Sequence, residues 1–318
     1  MARNPVLRRE VRHRMIIGYP CINTTIGCRS NRTFRLKSYS EERLKETVEN
    51  NLDCLMKILR FNVRHNLLFF RITSDLVPFA SHPICRFNWE EHFEEHFESV
   101  GDFIQRNSMR VSMHPDPFIV INSLDDKVFE NSLRELVYHA QVLDLMELDT
   151  TAKVQIHIGG IYGDKERSMK RFVNRFDRLD EAIRRRLVIE NDDQRYTLHD
   201  CLQINEETGI PVLFDVFHHE LNNFGETMTQ AFELFTRTWK EDDGLPMVDY
   251  SSQRENSSKG KHAESINLEH FRSFLDETKP FDFDVMLEIK DKEKSALEAL
   301  KVASRDDRFL VQKGKLSD

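Results

Sequence analysis

The chain has 318 residues, 39% of them hydrophobic, which is enough to bury a large core as one big domain or two small ones. Eleven glycines and nine prolines are too few for a linker-dominated or low-complexity protein. The formal charge of −8 argues weakly against a general nucleic-acid-binding scaffold, and the sequence contains no apolar run of the roughly eighteen residues that a membrane span requires.

The ends of the chain and its cysteines bear on where the protein works. Residues 1–14 carry five arginines with no apolar segment behind them, which predicts a disordered basic extension rather than a signal peptide. The cysteines form an odd and scattered set, at Cys21, Cys28, Cys54, Cys85 and Cys201. We therefore expect reduced thiols in a cytoplasmic protein rather than a disulfide framework.

Apolar runs alternate with stretches of helical spacing from Met15 onward. The predicted strands are 15–20, 67–72, 110–114, 153–158, 187–190, 210–216, 245–250 and 284–289. The predicted helices are 40–62, 89–107, 125–148, 164–184, 197–207, 226–239, 267–277 and 292–303.

This alternation is typical of a single-domain (β/α)8 TIM barrel, here residues 15–304, followed by a C-terminal tail at 305–318. A doubly wound open sheet is the alternative. It is disfavoured because no glycine-rich turn follows an early strand, as a nucleotide cofactor would require.

Side chains of the kinds that bind metals end or follow seven of these strands. In a TIM barrel the carboxyl ends of the strands meet at one face, so these side chains should lie close together. The set is His82, His114, His157, Glu190, Asp215, His218, Asp249, His262 and Glu288. Imidazoles and carboxylates without cysteine suit Mn²⁺, Zn²⁺ or Fe²⁺ rather than a thiolate zinc site. The set exceeds the needs of one ion, which predicts two or three, with Glu190 or Asp215 as a bridging carboxylate.

Alternation within the strands supports this site. Lys153, Gln155 and His157 share one face of the fourth strand, and we expect that face to point into the barrel. Clustered carboxylates in such an interior need cations to neutralise them. A rival metal motif, the H-x-x-E-H pattern of His92–His96, lies in an acidic helix and is expected to be ordinary surface.

A series of further motifs runs along the chain: Gly18–Asn23, Asn31–Arg35, Phe79–Pro83, Ser112–Pro115, Ile156–Gly160, Tyr162–Gly163, Leu187–Asp192, Phe214–His219, Tyr250–Gln253, Lys261–Ala263 and Met286–Glu293. In order and spacing they resemble the UV damage endonucleases, a repair family related to endonuclease IV-type barrels, over residues 15–294.

The resemblance implies a TIM barrel with up to three divalent ions, commonly manganese. It implies incision of double-stranded DNA immediately 5′ of a UV photoproduct, without ATP, leaving 3′-hydroxyl and 5′-phosphate ends. The matching metal ligands are His82, His114, His157, Glu190, Asp215, His218, His262 and Glu288. We expect a metal-held hydroxide as the nucleophile, no nucleotide cofactor, no membrane association and a monomer.

Several side chains are candidates to contact the DNA. The resemblance implies that Tyr19 and Asn23 probe the distorted duplex. Arg35 belongs to a basic cluster after the first strand that can bind phosphate. Lys290, close to Glu288, is a candidate to neutralise phosphate charge in catalysis, with a solvent-exposed or structural lysine as the alternative.

The sequence departs from the family at two places. After His-Pro the family often has Gly-Gln-Tyr, whose last two residues probe the lesion, whereas this chain has Pro117 and Phe118 at those positions. Phe118 can still stack on a base. In the seventh strand the family often has a carboxylated lysine followed by histidine, whereas this chain has Met247 and Asp249. Asp249 can replace the histidine, but Met247 cannot bind a hard ion, so we expect the third ion to be bound differently or weakly.

Two other functions remain open. A metal-dependent sugar isomerase or epimerase has the same barrel and the same ligand types, but it needs a small closed pocket. A DNA-binding protein without catalysis would have no use for so many metal ligands.

Overall fold

The computed structural model describes residues 15–311. The predicted extension at 1–14 and the last part of the predicted tail, 312–318, lie outside the described residues. Eight parallel strands pair in sequence order, and the eighth pairs with the first through Ile17↔Val285, which closes the barrel. The predicted single-domain TIM barrel is confirmed.

The strands are β1 (Ile17–Pro20), β2 (Phe69–Ile72), β3 (Arg110–Met113), β4 (Lys153–His157), β5 (Leu187–Glu190), β6 (Val212–Asp215), β7 (Met247–Tyr250) and β8 (Asp284–Leu287). The helices are α1 (Glu41–Arg64), α2 (Trp89–His92), α3 (Glu94–Arg106), α4 (Asp126–Leu145), α5 (Lys165–Phe176), α6 (Glu181–Arg184), α7 (Leu198–Thr208), α8 (Val216–Leu221), α9 (Met228–Phe235), α10 (Leu268–Glu277) and α11 (Glu293–Ala303). Within residues 15–311, none of the helices is long and apolar enough to cross a membrane.

Strand alternation sorts side chains between the core and the barrel interior. Val154 and Ile156 of β4 are buried in the hydrophobic core. Gln155, between them, hydrogen-bonds to side chains of β2, β5 and β7, which is possible only if it points inward across the barrel. The predicted polar interior is therefore present.

Ion pairs close the amino-terminal end of the barrel, away from the predicted site. Arg110 of β3 donates to Asp284 of β8 at 2.7 Å. Lys153 of β4 donates to Asp243 at 2.5 Å. The predicted site lies at the opposite end, where the carboxyl ends of the strands meet.

Three elements differ most from the sequence-based expectation. The helix predicted over 89–107 divides at Phe93 into α2 and α3, and the helix predicted over 164–184 divides into α5 and α6. The sixth strand, predicted to continue to residue 216, ends at Asp215, where α8 begins. Asp215 caps α8 by accepting a hydrogen bond from the His218 amide at 2.7 Å.

The expectation of reduced thiols is wrong for two cysteines. Cys28, in the loop after β1, forms a disulfide with Cys54 of α1. Cys21, Cys85 and Cys201 are free. The cross-link ties the long β1–α1 loop to the helix that follows it.

The start of the predicted tail packs against the barrel. Arg308 is buried, and its guanidinium donates to the carbonyls of Leu275, Thr278 and Phe281. The backbone of Met15 pairs with that of Arg308 and Leu310. Residues before β1 and after α11 therefore cover the amino-terminal side together.

Candidate metal centre

The ends of β3, β4 and β5 bring His114, His157 and Glu190 together, as the sequence predicts. Glu190 Oε1 lies 2.8 Å from His157 Nε2 and 3.4 Å from His114 Nε2. The possible ligand atoms of all three residues lie within 4.8 Å of one another. Two imidazoles and a carboxylate at this spacing can hold one divalent ion.

A second group shares Glu190 with the first. Glu190, Asp215 and Asp249 also offer ligand atoms within 4.8 Å of one another. Asp215 Oδ2 is buried and accepts no hydrogen bond within residues 15–311. The His218 imidazole Nδ1 lies 3.4 Å from this oxygen without forming a hydrogen bond, so a cation bound here would still stabilise the carboxylate. Glu190 lies in both groups, and its role as a bridging ligand stays a prediction.

His218 and His262 continue the wall of imidazoles. The ring of His218 lies 6.3 Å from that of His157 and 6.0 Å from that of His262. His218 Nδ1 is 3.0 Å from the Asn191 carbonyl, and His262 Nδ1 is 3.0 Å from the Glu288 carbonyl. A proton donated from Nδ1 to a carbonyl leaves Nε2 as the ligand atom, as is usual for metal-binding histidines.

The electrostatics of the cluster favour added positive charge. Burial raises the pKa of Asp215 to about 6, and the nearby Glu288 and Glu190 carboxylates add to this rise against His218. Burial alone would lower the pKa of His157, but Glu190 raises it to about 9. The pKa of His218 is also about 9, because Asp215 and Glu190 outweigh its burial. In the metal-free protein, protons on these side chains therefore supply positive charge that bound metal ions would otherwise supply.

Sequence reasoning missed Arg71 of β2. Its side chain is 3% exposed and lies inside the barrel, where Nη2 donates to Asp249 at 2.7 Å and to Gln155 at 2.7 Å. Its Nη1 donates to Glu288. The available signal was one charged residue within the otherwise apolar run Leu67–Ile72, on a strand whose burial leaves it no route to solvent.

The sequence predicts Gln155 on the interior face of β4 but does not identify it as part of the site. Its Nε2 donates to Asp249 Oδ2 at 2.6 Å and also to Glu190. It thereby holds two of the predicted ligands in place. An amide in the middle of a buried strand can be satisfied only by such partners.

His82 is the predicted ligand that the structure does not bring to the cluster. It is exposed in the loop after β2, where Nδ1 accepts a hydrogen bond from the Ile84 amide at 3.1 Å and the ring contacts Phe79. Its role as a ligand stays a prediction. Met247 is fully buried in β7 beside Asp249, and its thioether is no ligand for a hard ion.

Tyr19 and Asn23 are both buried, at 0% and 2% exposure. The Tyr19 hydroxyl donates to Asn62 of α1 at 2.6 Å and accepts from Asn23 Nδ2 at 2.9 Å. These contacts fasten the β1–α1 loop to α1. Neither side chain can touch a base in this arrangement, so their contact with a lesion stays a prediction that requires the loop to move.

The other predicted contacts lie on the surface. Phe118 is 65% exposed in the loop after β3, and Arg35 is exposed in the loop after β1. Lys290 is half-exposed and lines a cleft of about 430 Å³ together with His114, His157, His262 and Glu288. The cleft leads from solvent to the clustered ligands.

The H-x-x-E-H pattern does not form a metal site among the described residues. His92 and His96 are exposed on α2 and α3, on either side of the break at Phe93. The possible metal-binding groups found within residues 15–311 are the two that share Glu190.

The chain resembles known proteins in sequence and in fold. The model of the family UV-endonuclease UvdE matches residues 15–313. A UV DNA damage endonuclease from Clostridium perfringens is 38% identical over 303 residues, covering 94% of this chain and 73% of that protein. The crystal structure of SacUVDE is 45% identical, with a TM-score of 0.88 over 92% of this chain and 98% of that one.

More distant structures share the fold alone. D-psicose 3-epimerase from Clostridium cellulolyticum superposes with a TM-score of 0.52 at 11% identity, covering 79% of this chain and 92% of that one. The similarity reflects the shared barrel and carries no argument for an isomerase or epimerase activity.

Proposed function

The chain belongs to the UV-endonuclease UvdE family, and on that premise we propose that it cuts damaged duplex DNA at the phosphodiester immediately 5′ of a UV photoproduct. The products would carry 3′-hydroxyl and 5′-phosphate ends. The observation that supports this most is the grouping of four carboxylates and four imidazoles at the open end of the barrel: Glu190, Asp215, Asp249, Glu288, His114, His157, His218 and His262.

The residues fit divalent ions with nitrogen and oxygen ligands. One position is framed by His114, His157 and Glu190, whose ligand atoms lie within 4.8 Å of one another. The orphaned Asp215 Oδ2 marks a second position, which shares Glu190. Hard carboxylates mixed with imidazoles suit Mn²⁺, with Zn²⁺ or Fe²⁺ as alternatives. When bound, such ions would acidify water and neutralise charge on the phosphate.

The chain's own side chains orient this chemistry. Glu190, fixed by Gln155 and by both neighbouring imidazoles, sets the spacing of the two positions. Lys290 lines the same cleft with its ammonium half-exposed, 3.9 Å from Glu264. Its four-carbon stem lets it reach a phosphate oxygen that enters from solvent. We assign it to phosphate neutralisation in the reaction.

The surface beside the cleft can receive bases displaced from the helix. A second cleft of about 590 Å³ shares Pro117 and His157 with the first and is bordered by Tyr162. The Tyr162 ring is 44% exposed, and the Arg171 guanidinium lies 5.3 Å from its centroid. Phe118, which follows the lining residue Pro117 in the chain, is exposed as well, so the loop after β3 and Tyr162 offer rings on which unstacked bases can pack. Unstacking costs least at a damaged step, which gives selectivity without base-sequence readout.

The direct test uses an end-labelled duplex with one cyclobutane dimer, Mn²⁺ and no ATP. We expect a single break immediately 5′ of the dimer, and the upstream fragment should be extended by a polymerase because it ends in a 3′-hydroxyl. An undamaged duplex of the same sequence is the control. Equal cutting of both duplexes, or a break on the 3′ side of the dimer, contradicts the proposal.

A further inference from the structure

Arg71 is the one described arginine that reaches the carboxylate cluster, and its partners are two predicted metal ligands. Nη2 lies 2.7 Å from both Oδ1 and Oδ2 of Asp249, and Nη1 donates to Oε1 of Glu288. The side chain is 3% exposed. A guanidinium thus lies between two carboxylates at the place where a cation would otherwise bind them.

The guanidinium keeps its charge in this position. Arginine remains protonated in proteins, and the two carboxylates that its nitrogens contact favour the charged form. The positive charge is therefore permanent, unlike that of a bound ion.

The donors around Asp249 leave it little capacity for a metal. Arg71 contacts both oxygens, and Gln155 Nε2 adds a second donor to Oδ2 at 2.6 Å. Asp215 Oδ2, by contrast, accepts no hydrogen bond within residues 15–311. Glu288 has one oxygen on Arg71 and the other 3.9 Å from His262 Nδ1, so it can still serve an ion on the His262 side.

The charges of the cluster also favour two metal ions together with Arg71 over three metal ions. Glu190, Asp215, Asp249 and Glu288 bring four negative charges, Arg71 supplies one positive charge, and two divalent ions supply four more. The total is then +1, which complements a phosphodiester. A third divalent ion would raise the total to +3 and would lie close to a guanidinium of like sign.

We propose that Arg71 is a built-in cation that takes the place of a third metal ion, so that the centre binds two ions and Asp249 anchors Arg71 instead of a metal. This inference rests on the proposed metal-dependent function and specifies its ion count. On this proposal Asp249 binds Arg71 rather than a hard metal ion. Arg71 acts through the carboxylates that it positions.

The test counts metal ions in the absence of DNA. Full-length protein is stripped with a chelator, reloaded with Mn²⁺, desalted and measured for bound metal per chain. We expect two ions in the wild type, three in Arg71→Met and two in Arg71→Lys, which keeps the charge. Arg110→Met is the matched control, since Arg110 also pairs with a buried barrel carboxylate, Asp284, but at the opposite end. Its count should stay at two.

A second variant keeps the question answerable if Arg71→Met does not fold. Asp249→Asn is isosteric, and the count should stay at two because Asp249 is not a ligand. Three ions in the wild type, two in folded Arg71→Met, or one in Asp249→Asn overturns the proposal. The metal count does not depend on nicking activity. If the protein binds two ions but does not cut damaged duplex DNA, the proposed function is refuted while the role of Arg71 stands.

Discussion

His157 and His218 carry protons that a metal ion must displace. Each has a pKa of about 9 in the metal-free protein, so each is charged at neutral pH. Loading an ion on these rings releases the protons, and the apparent affinity for Mn²⁺ should rise as pH rises from 6 to 8. The expected slope is about tenfold per pH unit for each proton released.

A calorimetric titration with Mn²⁺ in buffers of different ionisation heat measures the released protons. His157→Gln should lower the number of protons released per bound Mn²⁺ by about one, because it removes one titrating imidazole. An affinity independent of pH over this range would contradict the assignment of these imidazoles as ligands.

Phe118 tests the surface that would meet the lesion. Stacking on a base is worth about 1–3 kcal/mol, so Phe118→Ala should lower the incision efficiency on a dimer-containing duplex by at least about fivefold. Because the side chain is 65% exposed, the melting temperature should not change. Leu124→Ala is the control, since Leu124 is equally exposed, at 64%, on the same stretch of chain. Equal loss in both variants would exclude a stacking role.

At the scale of single residues, the sequence identifies the metal-binding side chains better than the residues that contact them. His114, His157 and Glu190 can be placed together because strand ends meet in a barrel. Arg71 cannot be paired with Asp249 in this way, because a contact across the barrel depends on the barrel's closure and on side-chain lengths. Tyr19 shows the same limit, since its hydroxyl turns outward to α1.

At the scale of elements, strand and helix order follows from hydrophobic spacing, whereas element ends do not. The helix α8 has only 6 residues, Val216–Leu221, which is too few for helical periodicity to be recognised in the sequence. The turn into α8 matters for the site. It places His218 beside Asp215 and leaves the imidazole Nδ1 3.4 Å from Asp215 Oδ2.

The packing of α3 on the end of α4 depends on a glycine. A Cβ on Gly101 would lie 1.8 Å from the Met146 carbonyl oxygen, so Gly101→Ala must push the helix outward. We expect a loss of roughly 1–3 kcal/mol in the free energy of unfolding, measured by denaturant titration. Ser99→Ala, at an exposed position of the same helix, should cost nothing. A stable Gly101→Ala variant would show that this helix contact is looser than described.

At the scale of the whole molecule, the alternation of strands and helices is sufficient to predict the barrel. Eight apolar runs separated by helices leave few other architectures, and closure through β1 and β8 follows. The Cys28–Cys54 disulfide could not be predicted, because five scattered cysteines do not identify a pair. The number of metal ions is equally a property of the assembled interior.

The most direct measurement of the central claim compares three proteins on one substrate, an end-labelled duplex with a single cyclobutane dimer in the presence of Mn²⁺. The wild type should cut immediately 5′ of the dimer. Glu190→Gln should lose at least about a thousandfold in rate while keeping its fold, because it removes the carboxylate shared by both metal positions. Asp284→Asn, at the closed end of the same barrel, should keep cutting. Wild-type rates in Glu190→Gln would contradict the account.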